Sequence, residues 1–215
     1  LWLARGVVPE SYYAVTQVCA LMSCPSKKAF EVLCRILSHQ VDKATNRGIM
    51  WRSDGNKEPI IMTDASFKPC PFSGKSQYGV VATLYGGPII VVSKKLGHVG
   101  LSTPHTETMA MNQGARIASW LRTFFTEILR PLKKKTLLLS DSTVAIHVTN
   151  EQVISEKNKF VLIAYHYIDE LKNDLEIHYL NTQDMMADLL TKAATEGIFD
   201  RLTPTMTGTG PRPFT

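Results

Sequence analysis

No apolar run in this chain of 215 residues is long and unbroken enough to read as a membrane span. The longest, Tyr78 to Val92, is interrupted by Gly86-Gly87-Pro88 and reads instead as a β-hairpin. No secretory signal is visible, because Leu1 to Val8 carries a charge and is too short for an apolar core. With no initiator methionine, the chain is expected to be a piece of something longer, such as a processed polyprotein. Cysteine is scarce: Cys19, Cys24, Cys34 and Cys70 form no CxxC pair and have no histidines at zinc-finger spacing. That argues against a zinc site and favours buried free thiols in a reducing compartment. Neither sign of charge dominates. There are 24 Lys+Arg against 19 Asp+Glu, a formal charge of +5. Such an excess is compatible with a polyanionic partner, although a solvated basic surface is its commoner cause.

A hydrophobic content of 44% over this length is enough to bury a core of one large domain, or one and a half. Residues 11–38 carry a helical rhythm (Tyr12, Val15, Val18, Cys19, Met22), broken at Pro25-Ser26 and resumed at Ala29, Val32, Leu33, Ile36 and Leu37. Asp42 to Pro59 is polar and reads as a linker, with a boundary near 50–58. Strands follow at Ile60–Asp64, Tyr78–Tyr85 and Ile89–Lys94, the last two joined through Gly86-Gly87-Pro88. A long helix is predicted from Thr103, with Thr103 as cap, Pro104 in its first turn and Pro131 as its stop. Beyond it come a strand over Leu137–Asp141, a short helix over Ser142–Thr149, and an amphipathic helix from Phe160 to Leu171. A strand over Glu176–Leu180 and a final helix capped by Asn181, carrying Met185 to Ala193, complete the order. This β-β-β-α-β-α-α-β-α order implies a mixed sheet flanked by helices, an α/β class built around an α+β mixed sheet. Pro204 to Thr215 reads as a disordered tail.

Four acids run through this pattern: Asp64, Glu107, Asp141 and Asp188. Asp64 and Asp141 close apolar strands, where a buried carboxylate is costly unless something neutralises it. If the first and fourth strands are neighbours, the two emerge side by side. Glu107 then projects from the long helix packed above, and Asp188 completes the cluster at its rim. Oxygen-only ligands select hard ions such as Mg²⁺ or Mn²⁺, and two such ions roughly 4 Å apart suit phosphodiester hydrolysis. Each acid also has an ordinary explanation. Glu107 in a first helical turn is favoured by the dipole, Asp188 can be a solvated helix residue, and Asp141 can merely cap the helix that follows.

Asp64-Ala65-Ser66, Ser93-Lys94-Lys95, Leu101-Ser102-Thr103 with Glu107, and Asp141 to Ile146 together resemble the ribonuclease H domain of copia-type retrotransposon polyproteins. Tyr165-His166-Tyr167-Ile168 and Ala187-Asp188-Leu189-Leu190-Thr191-Lys192 are the most specific parts of that resemblance, which covers about residues 59–195. Residues 1–37 resemble the thumb or connection region after a reverse-transcriptase palm. The pattern departs from the family at Lys157 to Phe160, where a Lys-His-Ile is usual, and at His105, Thr106 and Thr108 around the glutamate.

The resemblance implies an RNase H-like fold with a five-stranded sheet over 59–200, preceded by a helical segment over 1–50 and followed by a tail over 201–215. It implies hydrolysis of the RNA strand of RNA–DNA hybrids, with Asp64, Glu107, Asp141 and Asp188 as ligands of two Mg²⁺ or Mn²⁺ ions. The implied partners are the hybrid and the polymerase domain of the same polyprotein, with no membrane. The implied setting is intracellular, in cytoplasmic virus-like particles or the nucleus. Further candidates are His178 and His166 as auxiliary groups and Lys94 and Lys95 as phosphate contacts. Lys133-Lys134-Lys135 reads as a solvated loop. The alternatives are a catalytically silent scaffold or nucleic-acid-binding module of this fold, and a polynucleotidyl transferase such as an integrase.

Overall fold

The computed structural model describes residues 1–43, 48–53, 57–67, 75–97, 100–151 and 162–210. Cys70, the Lys157–Phe160 segment and residues 211–215 lie outside them.

Five strands form one mixed sheet: β1 (Ile60–Ser66), β2 (Gln77–Leu84), β3 (Gly87–Lys95), β4 (Thr136–Ser140) and β5 (Leu175–Tyr179), in the order β3-β2-β1-β4-β5. β1–β2 and β2–β3 are antiparallel, while β1–β4 and β4–β5 are parallel. The expected adjacency of the first and fourth strands is therefore present. The β2–β3 turn is tighter than the sequence suggested. Tyr85 (φ 54°) and Gly86 (φ 78°) form a two-residue turn with both backbones left-handed, so Gly87 and Pro88 already belong to β3. Pro88 is tolerated because β3 is an edge strand, with a register shift beside it.

β1 reads as a continuous apolar run because both faces of the sheet are covered. On one face, Ile61, Val80, Ala82 and Leu138 pack under the long helix α4 (Thr103–Glu127; α1 to α3 lie in the N-terminal segment below), through Ala110, Met111, Ala115 and Ala118. Gly114 lets that helix approach, since a Cβ there would stand 2.6 Å from Thr63 Cγ2 and 2.7 Å from Leu138 Cδ1. Helices α5 (Thr143–Glu151) and α6 (Leu162–Glu170) complete this layer, with Asn112 Nδ2 donating to the Ala164 carbonyl at 3.0 Å. On the other face, Ile60, Met62, Val81, Val91 and Leu139 meet Met185, Met186, Leu189, Leu190, Leu202 and Met206.

Ala4 and Tyr12 belong to that second cluster. The N-terminal helices α1 (Trp2–Gly6) and α2 (Tyr12–Cys19) thus share a core with the sheet, while α3 (Lys27–Lys43) packs against α2. The Met50 N–H bonds the Thr207 carbonyl and the Arg52 N–H bonds that of Tyr85, each at 2.8 Å. The outward side of α3 leaves Phe30, Leu33, Leu37 and Val41 exposed.

Several sequence-based expectations are corrected. Helix α4 is capped by Ser102, whose hydroxyl accepts the His105 N–H at 3.3 Å, so Thr103 is its first residue and Glu107 lies beyond the first turn. It ends at Glu127 rather than at Pro131, closed by Leu129 at φ 60° and an Arg130 N–H bond to the Phe125 carbonyl at 2.8 Å. The final helix expected over Met185–Ala193 is instead two 3₁₀ turns, Thr182–Asp184 and Met186–Leu190. Asn181 does cap the first, accepting the Gln183 N–H at 2.9 Å. The extended backbone of Met185 (ψ 93°) separates the two turns and lets the second lie flat on the sheet. The stretch expected to be a disordered tail from 201 onward continues α7 (Glu196–Met206), burying Leu202 and Met206. The thiols are not uniformly buried either: Cys24 and Cys34 are exposed and Cys19 is half-buried. Among the described residues, no helix is long and apolar enough to cross a membrane.

Candidate metal centre

The parallel pairing of β1 with β4 puts Thr63 opposite Ser140, so the next residues, Asp64 in β1 and Asp141 just past β4, lie side by side where that pairing ends. Such carboxyl ends of parallel strands are where open α/β sheets place ligands. Asp64 is not the last residue of its strand as expected. β1 runs on to Ser66, with Asp64 paired to Gly79 and 3% exposed. Asp188, 4% exposed, arrives from the Met186–Leu190 turn on the face opposite α4. Asp64, Asp141 and Asp188 each bring a carboxylate oxygen within 4.8 Å of the others. Asp141 is half-buried and is not the cap of α5, because Ser142 Oγ accepts the Ala145 N–H there at 3.2 Å.

Glu107 stands outside that close trio but borders it. Its carboxylate accepts the backbone N–H of Ala65, next to Asp64, and it is 5% exposed, facing the sheet as its helical position implied. Three neutral or cationic partners surround the acids, and none was assigned a role in the sequence. The Thr191 hydroxyl donates to Asp64 Oδ2, Thr182 Oγ1 donates to Asp141 Oδ2 at 2.8 Å, and Lys192 Nζ pairs with Asp188 Oδ2 at 2.8 Å. Thr191 and Lys192 lie inside the Ala187–Lys192 motif. Only the fold shows that their side chains turn back onto the acids.

The electrostatics are those of crowded carboxylates. Burial, then the charge of Asp188, pushes the Asp64 pKa from 3.8 up to about 7. Burial, then Asp64 and Asp141, pushes Glu107 from 4.5 up to about 9. Burial also raises Asp188, against the hydrogen bond and charge of Lys192. Burial alone would lower the Lys192 ammonium, but its bond to Asp188 and the charges of Asp64, Asp188 and Asp141 outweigh this and raise it. Glu107 Oε2 and Asp188 Oδ1 are buried without a hydrogen-bond partner. Lone pairs left bare inside a protein are costly, and a hard cation is the partner such oxygens accept best.

The secondary candidates are dispersed. His178 is exposed on β5 and bonds Glu176 at 2.8 Å, not one of the four acids. His166 is exposed on α6, edge-on to the Tyr165 ring. Lys94 is exposed and Lys95 half-buried at the end of the edge strand β3.

No family model matches the chain. It is 28% identical over 196 residues to the retrovirus-related Pol polyprotein from transposon TNT 1-94 of Nicotiana tabacum, covering 89% of this chain and 14% of that polyprotein. It is 26% identical over 185 residues to the transposon Ty1-DR5 Gag-Pol polyprotein of Saccharomyces cerevisiae, covering 83% of this chain and 10% of that one. The chain thus spans about a seventh or less of the curated relatives it matches. Among solved structures, it is similar to the N-terminal RNase H domain of rv2228c from Mycobacterium tuberculosis, at TM-score 0.48 and 13% identity, over 70% of this chain and 99% of that one. It is also similar to LC11-RNase H1 in complex with RNA/DNA hybrid, at TM-score 0.47 and 22% identity, over 62% and 94%. The homologues are Pol and Gag-Pol polyproteins of copia-type transposons, as the resemblance read from the motifs implied.

Proposed function

We propose that this chain is the ribonuclease H portion of a copia-type reverse transcriptase, hydrolysing the RNA strand of an RNA–DNA hybrid at a site built on Asp64, Glu107, Asp141 and Asp188. The observation that carries the proposal is the convergence of three carboxylate oxygens within 4.8 Å at the carboxyl ends of two adjacent parallel strands. The donor set fits two hard divalent ions, Mg²⁺ or Mn²⁺. Every candidate ligand atom is a carboxylate oxygen, and two of these oxygens are buried and bare. Such ions, when bound, activate a water and stabilise the leaving oxygen of the phosphodiester. Asp64 and Asp141 would hold the centre between the strands, Asp188 one rim and Glu107 the other. The Thr191 and Thr182 hydroxyls keep one oxygen of Asp64 and one of Asp141 fixed in direction. Lys94 and Lys95, at the end of the edge strand, would supply cations for backbone phosphates. Recognition of the hybrid would follow its shape and backbone rather than its bases.

The polymerase domain of the same polyprotein is the proposed covalent partner. The length of the relatives and the exposed apolar side of α3 support it. The proposed setting is intracellular. The test is incubation with a labelled RNA–DNA hybrid and Mg²⁺ or Mn²⁺, beside an Asp64→Asn variant. Cleavage of the RNA strand that disappears in the variant is expected. No cleavage by the parent chain, with hybrid binding retained, would favour the silent binding module instead.

A further inference from the structure

Two polar motifs far apart in sequence, Ser93-Lys94-Lys95 and Thr191-Lys192, are brought close in the fold, where the Ser93 hydroxyl bonds the Leu190 carbonyl just before Thr191. Ser93, Gly79 and Asp64 stand in one row across β3, β2 and β1, so all three face the same side of the sheet. Gly79 leaves a gap in that row, and the backbone carrying Asp188 lies in it. A Cβ on Gly79 would stand 2.7 Å from Leu190 Cβ, 2.8 Å from the Ala187 carbonyl oxygen and 3.0 Å from Thr191 Cγ2. Hydroxyls fasten this backbone from both sides. Ser93 Oγ donates to the Leu190 carbonyl at 2.6 Å and accepts from Gln77 Nε2 at 2.9 Å, while the Thr191 hydroxyl donates to Asp64. Gln77, Ser93 and Thr191 are all buried.

We propose that Gln77, Ser93 and Thr191 form a buried polar strap that sets the position of Asp188 against Asp64 for cation binding, with Ser93 and Thr191 as positioning residues and not ligands. The proposal rests on the metal reading given above. A 3₁₀ turn of five residues has weak internal hydrogen bonding and cannot hold its own register. Leu189 and Leu190 anchor it in the core, but apolar contact is non-directional and sets depth, not orientation. The Lys192–Asp188 pair is partly exposed, and pairs of that kind hold geometry poorly. Repulsion from Asp141 meanwhile pushes Asp188 outward. Buried hydrogen bonds of fixed direction are what is left to resist it, as partners behind metal ligands do elsewhere.

The test compares Ser93→Ala, Thr191→Val and Thr191→Ser in the full chain, with Leu202→Ala as a core control. Amide hydrogen exchange over residues 186–192 is read in metal-free protein, and Mn²⁺ affinity is read by calorimetry. Ser93→Ala and Thr191→Val should speed exchange in that segment and weaken Mn²⁺ binding roughly 10-fold or more. Thr191→Ser should restore both, and Leu202→Ala should lower the melting temperature with Mn²⁺ affinity unchanged. Parental Mn²⁺ affinity in Ser93→Ala and Thr191→Val, or an equal loss in Leu202→Ala, would overturn the strap. A parent chain that binds no Mn²⁺ would sink the metal reading instead. Exchange over 186–192 unaltered in Ser93→Ala would then sink the strap as well.

Discussion

Asp64 is held in a state its ordinary chemistry disfavours. Its carboxyl titrates near 7 and that of Glu107 near 9, because burial and neighbouring acids both oppose ionisation. The consequence for stability has a definite sign. Both folded-state values are raised, so the stability these groups contribute is fully present below their unfolded values of 3.8 and 4.5. It is lost as pH rises, through about 7 for Asp64 and about 9 for Glu107. Metal-free protein should therefore melt at progressively lower temperature between pH 5 and 9, and millimolar Mg²⁺ or Mn²⁺ should reverse the fall; thermal melts across pH with and without the ion check both. Asp64→Asn removes the same repulsion. It should raise metal-free stability at pH 8 by more than about 1 kcal/mol, one pKa unit being worth about 1.4 kcal/mol, while hybrid cleavage falls to background. Stability and activity moving in opposite directions marks a functional site, and a variant that loses both would speak for a structural role.

At the scale of elements, the site depends on how closely α4 and the Met186–Leu190 turn approach the sheet, and a glycine permits each approach. Gly79→Ala forces a Cβ onto Leu190 and the Ala187 carbonyl, so the turn must lift. Overpacking of this kind costs about 1–3 kcal/mol, and cleavage should fall further than stability does, since Asp188 moves with the turn; a denaturation midpoint and a cleavage rate on one preparation compare the two. Gly114→Ala, which meets Thr63 Cγ2 and Leu138 Cδ1, should cost similar stability. Ser102→Ala removes the α4 cap, worth about 1 kcal/mol, and denaturant unfolding reads that loss. The strands and long helices were legible because period 2 and period 3.6 differ plainly. The Met185–Leu190 stretch was not, because apolar pairs at i, i+1, i+4 and i+5 suit a helix equally well. Only contact with the sheet at Gly79 selects the flatter turn.

Across the whole molecule, the second face of the sheet is covered by the two ends of the chain. Ala4 and Tyr12 from the first helices, and Leu202 and Met206 from the last, meet over Ile60, Met62, Val81 and Leu139. A chain starting near residue 57, or one ending near 195, should consequently expose that apolar face and unfold at markedly lower denaturant or aggregate; chemical unfolding and light scattering on both truncations check this. Composition hid the arrangement. The polar stretch before Ile60 reads as a boundary and the Thr-Gly-Pro ending as a loose tail, yet Met50 bonds Thr207 and Leu202 is buried. Sequence alone determined the succession of the five strands along the chain, the apolar runs, the existence of the long helix α4 and the four acids with their motifs, since each is a local pattern along the chain. Tertiary structure alone decided which acids converge, that Glu107 stands beside the close trio, and that Thr182, Thr191 and Lys192 turn onto them. It also left His178 with Glu176. Those outcomes depend on register across β1, β4 and β3, and register is a relation between segments that no single segment carries.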